Sequence, residues 1–111
     1  MSDEPWYSAM CIFLHTGIKS SHGQVYEERA ILVRAESFDE ALSRAEVMAE
    51  EYAKDVEGCS YTGFVNVFHL FDENVGDGAE IYSLMRTSDL STDEYLDRFY
   101  DTGTERRWGV F

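Results

Sequence analysis

The ten residues from Trp6 to His15 (WYSAMCIFLH) constrain the fold more than any other part of the chain, because both of their alternating faces are apolar. Successive side chains of a strand point to opposite sides, so Trp6, Met10, Ile12 and Leu14 share one face while Tyr7, Ala9, Cys11 and Phe13 share the other. A strand of this kind needs cover on both sides. Phe64 to Phe71 (FVNVFHLF) has the same character and predicts a second buried strand, central in the sheet and not at an edge.

The remaining elements follow from local signals. Thr16 to Gly23 carries two glycines and three serine or threonine residues and suits a turn, after which Val25 to Ala35 resumes as a strand, giving a hairpin. Ser37-Phe38-Asp39-Glu40 is a capping box, in which the Ser37 side chain accepts from the Glu40 N–H and the Glu40 carboxylate reaches back. Phe38, Ala41, Leu42, Ala45, Met48, Ala49 and Tyr52 then keep the spacing of one apolar helix face, with Glu40/Arg44 and Glu50/Lys54 as pairs on the other and a stop near Gly58. Asp77-Gly78 is a hairpin signal and predicts a returning strand over Ala79 to Met85. Ser91-Thr92-Asp93-Glu94 is a second capping box, and Leu90, Tyr95, Leu96 and Phe99 give a short helix its apolar side.

Together these predict one α+β domain over residues 1–111, with an antiparallel sheet of about four strands in β-β-α-β-β order, a long helix on one face and a short C-terminal helix. The segment from Thr104 to Phe111 receives no element. The sheet face away from the long helix needs a cover wider than the short helix, and a second copy of the chain, forming a homodimer, is the expected one.

Charge narrows the partners. The chain has 22 Asp and Glu against 9 Lys and Arg, a net charge of -13. Nucleic acid is excluded, because its binding draws on clustered Lys and Arg and the adjacent basic pair here is Arg106-Arg107 alone. An anionic membrane surface is disfavoured for the same reason, and no stretch nears the ~20 apolar residues of a membrane span. Met1 to Pro5 lacks the basic start of a secretory leader, so the expected location is the cytoplasm, where Cys11 and Cys59 are free thiols. Acidity favours rapid encounter with a basic partner, although solubility is its commoner cause and the scarcity of Lys also permits a high-salt habitat.

Several short motifs recur in order along the chain: Trp6-Tyr7-Ser8-Ala9, Tyr26-Glu27-Glu28-Arg29, Leu32-Val33-Arg34-Ala35, Glu40-Ala41, Ala45-Glu46 and Phe64-Val65. In this the chain resembles domain of unknown function family 4288 over residues 6–85, with the part from residue 88 onward outside the match. The resemblance implies a small bacterial intracellular domain and implies no activity.

The search for chemistry yields candidates rather than an active site. His15, His22 and His69 are not at metal-ligand spacing, although His15 approaches His69 if their strands are neighbours. Asp72 to Asp77 fails the calcium-loop pattern, with its glycine in the wrong place and Ser83 where the bidentate Glu belongs. No motif points to a cofactor or a nucleophile. Tyr26, Glu28 and Arg34 share one face of the second strand and form the candidate pocket, with Glu28 as proton acceptor; the plainer reading is cross-strand pairing of exposed charges. Trp6, Trp108 and Phe111 are candidate interface residues, or terminal aromatics docked on their own domain. Two functions follow as expectations: an interaction protein that binds a basic protein, as an immunity protein neutralises a toxin, or a small-molecule-binding or enzymatic domain around Tyr26, Glu28 and Arg34.

Overall fold

The computed structural model describes residues 4–19, 23–71, 75–83 and 85–100. It is an α+β structure with β1 (Trp6–His15), β2 (Val25–Arg34), α1 (Phe38–Asp55), β3 (Cys59–His69) and α2 (Thr92–Phe99) in chain order. The strands form one antiparallel sheet in the order β2-β1-β3, so β1 is the central strand. The apolar run from Phe64 lies in β3, an edge strand and not the central one its pattern predicts, with Tyr82 packed against Phe68 in place of a covering layer.

β1 and β2 pair in unbroken register from Trp6 opposite Arg34 to His15 opposite Val25. β3 pairs with the other edge of β1, from Tyr7 opposite His69 to His15 opposite Cys59. This ladder shifts between Cys11 and Phe13, where Gly63 takes a φ of 90°. Thr62 bridges the irregularity, since its hydroxyl donates to the Ile12 carbonyl at 2.8 Å and accepts from the Phe64 N–H at 3.3 Å. A side chain thus restores hydrogen bonding that the bulge interrupts.

The core forms between one face of this sheet and α1. Ala41, Ala45 and Ala49 recur every four residues and are all buried. They lie in successive layers against Tyr7 and Ala35, then Ala9 and Val33, then Cys11 and Phe13. Small side chains bring the helix close to the strand, and Phe13, fully buried at 0% exposure, fills the end of the space. Its ring meets Tyr52 edge-on at 4.9 Å and Tyr61 at 5.5 Å.

The helix signals hold with one difference. The Ser37 hydroxyl accepts from Glu40 N–H at 3.1 Å, and the Glu40 carboxylate reaches back to the N–H of Glu36, one residue earlier than the reciprocal box requires. Arg44 donates to the carbonyl of Arg34, tying α1 to the end of β2.

Among the described residues, neither the fourth strand nor the β-β-α-β-β order forms. Asp77-Gly78 does turn, with Ala79 N–H donating to Gly76 C=O at 3.0 Å and Gly78 at a φ of 81°. Asp77, however, keeps a negative φ, as does every described non-glycine residue. The two-residue hairpin turn of type I′ needs positive φ at both central positions, so this turn does not return the chain alongside β3. Residues 79–83 and 85 belong to no strand. Tyr82 instead packs on the sheet, with its ring 6.1 Å from that of Phe68 and its hydroxyl accepting from the Asn66 side chain at 3.1 Å.

α2 is capped by Ser91, which accepts from Glu94 N–H at 3.3 Å and donates to the Glu94 carboxylate at 2.8 Å. No Cα of α2 comes within 8 Å of a strand or of α1.

At the end of β1 the Thr16 N–H donates to Gly58 C=O at 2.7 Å, and the backbones of Gly17 and Gly58 pack directly together. Gly58 has a φ of 74°, and a Cβ there would fall 2.5 Å from the Gly17 nitrogen. Gly58→Ala should therefore lower stability by about 2–3 kcal/mol, combining left-handed strain with a backbone clash. Urea unfolding measures this, with Gly23→Ala as the comparison, since Gly23 shares the positive φ but has open space around it.

Candidate functional site

Two regions carry side chains not explained by packing alone. The first lies at the end of the helix-facing side of the sheet, where β1 finishes and β3 begins. His15 Nε2 is 2.7 Å from Glu27 Oε1, and the Tyr52 hydroxyl lies 2.9 and 3.0 Å from the two Glu27 oxygens. The Cys59 sulfur is 3.9 Å from the same His15 nitrogen, and the Arg29 guanidinium stacks 4.0 Å over the Tyr52 ring. The elements explain the meeting: Glu27 lies diagonal to His15 across the β1–β2 ladder, Cys59 is directly opposite His15, and Tyr52 comes from the last turns of α1.

A cysteine, a histidine and a carboxylate are the parts of a nucleophilic site, but their connections here do not make one. In such a site the histidine takes the thiol proton on one ring nitrogen and is oriented through the other. Here Nε2 serves both neighbours, so a proton donated to Glu27 leaves that nitrogen unable to accept one from Cys59. Burial pushes the Cys59 thiol up, and the Glu27 charge adds to the effect. Burial likewise raises the Tyr52 phenol, which already donates to Glu27. Among the described residues no group of three or more His, Cys, Asp or Glu is arranged to hold a metal ion. The cluster therefore acts as a polar staple between hairpin and helix.

The second region is the opposite face of the sheet. Tyr26, Glu28 and Arg34 do share this face, but spread along β2. Eight residues separate Tyr26 from Arg34, about 27 Å of strand, so the three do not converge on one small molecule. Tyr26 takes a hydrogen bond from Gln24 at 3.4 Å, and Arg34 stacks 4.5 Å over the Trp6 ring directly opposite. Trp6 is thus half-buried under an arginine on this face, while Trp108 and Phe111 lie outside the described residues. Leu32 and Phe64 are 40% and 45% exposed on the same face.

Other expectations sort by register. His15 and His69 lie on neighbouring strands but at opposite ends of the β1–β3 ladder, so they do not meet; His69 stacks on Tyr7 at 5.0 Å and on Phe71 at 4.9 Å. His22 lies outside the described residues. The His15, Glu27, Tyr52 and Cys59 grouping was not anticipated. The hairpin register alone brings His15 beside Glu27, but Cys59 arrives through the β1–β3 pairing and Tyr52 through the way α1 crosses the sheet.

Fold and sites together define a small α+β domain with a one-sided core, a half-buried polar staple and an open sheet face. The chain belongs to the family described as domain of unknown function DUF4288, whose model matches residues 6–83. That span holds all three strands and α1 and leaves α2 outside. No curated protein and no solved structure matches the chain significantly.

Removing the Tyr52 hydroxyl takes one donor from the Glu27 carboxylate, so Tyr52→Phe should cost about 1–2 kcal/mol, at the low end for a charged acceptor because the group is partly exposed. Chemical denaturation at neutral pH measures it, and an unchanged midpoint would remove the staple from the account. Alkaline titration reads a second feature. Burial, with Cys11 and Glu46 beside it, pushes the Tyr61 phenol up to about 12. A phenol raised in the folded state ionises first in the unfolded chain, so its stabilising contribution is intact below the ordinary value near 10 and is lost as pH climbs towards about 12. Tyr61→Phe should flatten the fall in stability over that window.

Proposed function

We propose that this domain works by binding a basic protein through the outward side of α1, as an immunity-type inhibitor would, and that it catalyses no reaction. The observation that carries this reading is the separation of charge on α1. Asp39, Glu40, Glu46, Glu50, Glu51 and Asp55 lie on this helix with Arg44 and Lys54 as its only bases. Arg44 is turned towards the Arg34 carbonyl.

Val47 is 57% exposed among these acids. Glu50 and Glu51 follow it by three and four residues, so they are its neighbours on the helix surface. An exposed apolar side chain with acids one turn further along the helix has the organisation of a small contact patch, an anchor beside a charged rim. The field of the whole chain, at -13, would speed encounter with a cation-rich surface. The raised Cys59 thiol supports a binding role over a nucleophilic one. The bacterial cytoplasm is the setting that accompanies this proposal.

Affinity capture on the immobilised domain from a bacterial lysate, at low and high salt, tests it. A basic protein retained at about 0.1 M salt and released near 1 M, where the Debye length falls from ~10 to ~3 Å, is the expected result. The triple variant Glu46→Lys, Glu50→Lys, Glu51→Lys should lose that protein. Retention of a metabolite at both salts with no protein would replace this reading with the small-molecule one.

A further inference from the structure

The open face of the sheet carries an inference that rests on the protein-binding reading but concerns a different surface and partner. On this face β1 contributes Ile12 and Leu14, β2 contributes Leu32 and β3 contributes Phe64. Leu32 and Phe64 are among the most exposed large apolar side chains of any strand. The Tyr82 contact to Asn66 and Phe68 covers one end, and Ser8 beneath it is 2% exposed, while the centre stays open.

Charge identifies the occupant. On the three strands, the charged residues facing this side are Glu28 and Arg34, one acid and one base. The face is therefore electrically neutral in a chain of net charge -13. A basic partner gains nothing by choosing it, because the acids lie elsewhere. Two copies of an acidic chain, by contrast, repel wherever their acids approach, and a neutral apolar face is where they can meet.

Size points the same way. Ten-residue strands spaced ~4.8 Å apart make a face about 33 Å long and about 14 Å across. α2, at eight residues, is about 12 Å long and spans roughly a third of that length. A second sheet of the same dimensions covers it. We propose that the domain is a homodimer in which two copies stack the open faces of their sheets, burying Ile12, Leu14, Leu32 and Phe64 of each, while the acidic outer sides of both α1 helices point away from the interface.

This arrangement has a salt signature opposite to that of basic-partner binding. Like-charged copies repel, so added salt tightens the dimer, whereas it loosens a complex with a basic protein. Light scattering and sedimentation of the whole chain at micromolar concentration read the mass directly. The expected result is a dimer whose dissociation constant falls between about 0.05 and about 0.5 M sodium chloride. Phe64→Asp and, on a different strand, Leu32→Asp should each raise that constant about thirtyfold or more, as loss of a central interface anchor does.

Both positions are partly exposed in the single chain, so the variants should retain the circular dichroism of the parent. If one fails to fold, the other still decides the matter. A monomer at every salt concentration overturns the proposal, as does a dimer unaffected by the folded variants. Val47→Asp, on the outer side of α1, should leave the dimer intact and weaken only capture of a basic protein. Loss of dimerisation with capture preserved would sink this inference alone, and a salt-strengthened dimer without capture would sink only the binding reading.

Discussion

The close seating of α1 on β1 is the contact on which the rest of the structure depends. Ala41, Ala45 and Ala49 form a ridge one side chain wide, and Tyr7, Ala9, Cys11 and Phe13 form the surface that receives it. Because alanine keeps the helix axis close to the strand, few large side chains are needed between the layers, and Phe13 closes the end with the rings of Tyr52 and Tyr61 against it. The approach also sets the position of Tyr52 near the end of α1, and with it the hydrogen bonds to Glu27. A larger residue on the ridge would lift the helix and strain core and staple together.

Much of this was legible in the sequence because it rests on local rules. The two-faced apolar run from Trp6 to His15 is β1 to the residue, but the similar run from Phe64, which predicts a central strand, belongs to the edge strand β3. Ser37 starts α1 as its spacing to Glu40 requires. The missing fourth strand shows where such reading fails. Asp77-Gly78 has the composition of a hairpin turn, but composition permits positive φ at Asp77 without enforcing it. Once Tyr82 found Asn66 and Phe68, tertiary packing decided the path. The grouping of His15, Glu27, Tyr52 and Cys59 was hidden for a related reason, since four elements contribute to it and no short spacing records it.

Tyr26, Glu28 and Arg34 illustrate the opposite case. Their period of two placed them correctly on one face, yet a shared face is not a shared site. Residues along an extended strand separate by more than 3 Å each, so a pocket needs contributions from neighbouring strands, and the side chains opposite these three are Leu14, Ile12 and Trp6. The polar residues of β2 thus border an apolar surface.

An apolar sheet face left open is a hazard unless association is restricted to one geometry. Both edges of this sheet carry such restrictions. The outer edge belongs to β2, which has Glu27, Glu28 and Arg29 in sequence, and charges at the middle of an edge strand oppose addition of a further strand. The other edge belongs to β3, where Gly63 at positive φ and the Thr62 bridge bend the strand away from a flat template. With both edges guarded and α1 covering one side, the remaining route to burying Leu32 and Phe64 is through the face itself. In the proposed dimer that route joins two bodies of like charge and then ends, because the stacked sheets turn both acidic α1 helices outward.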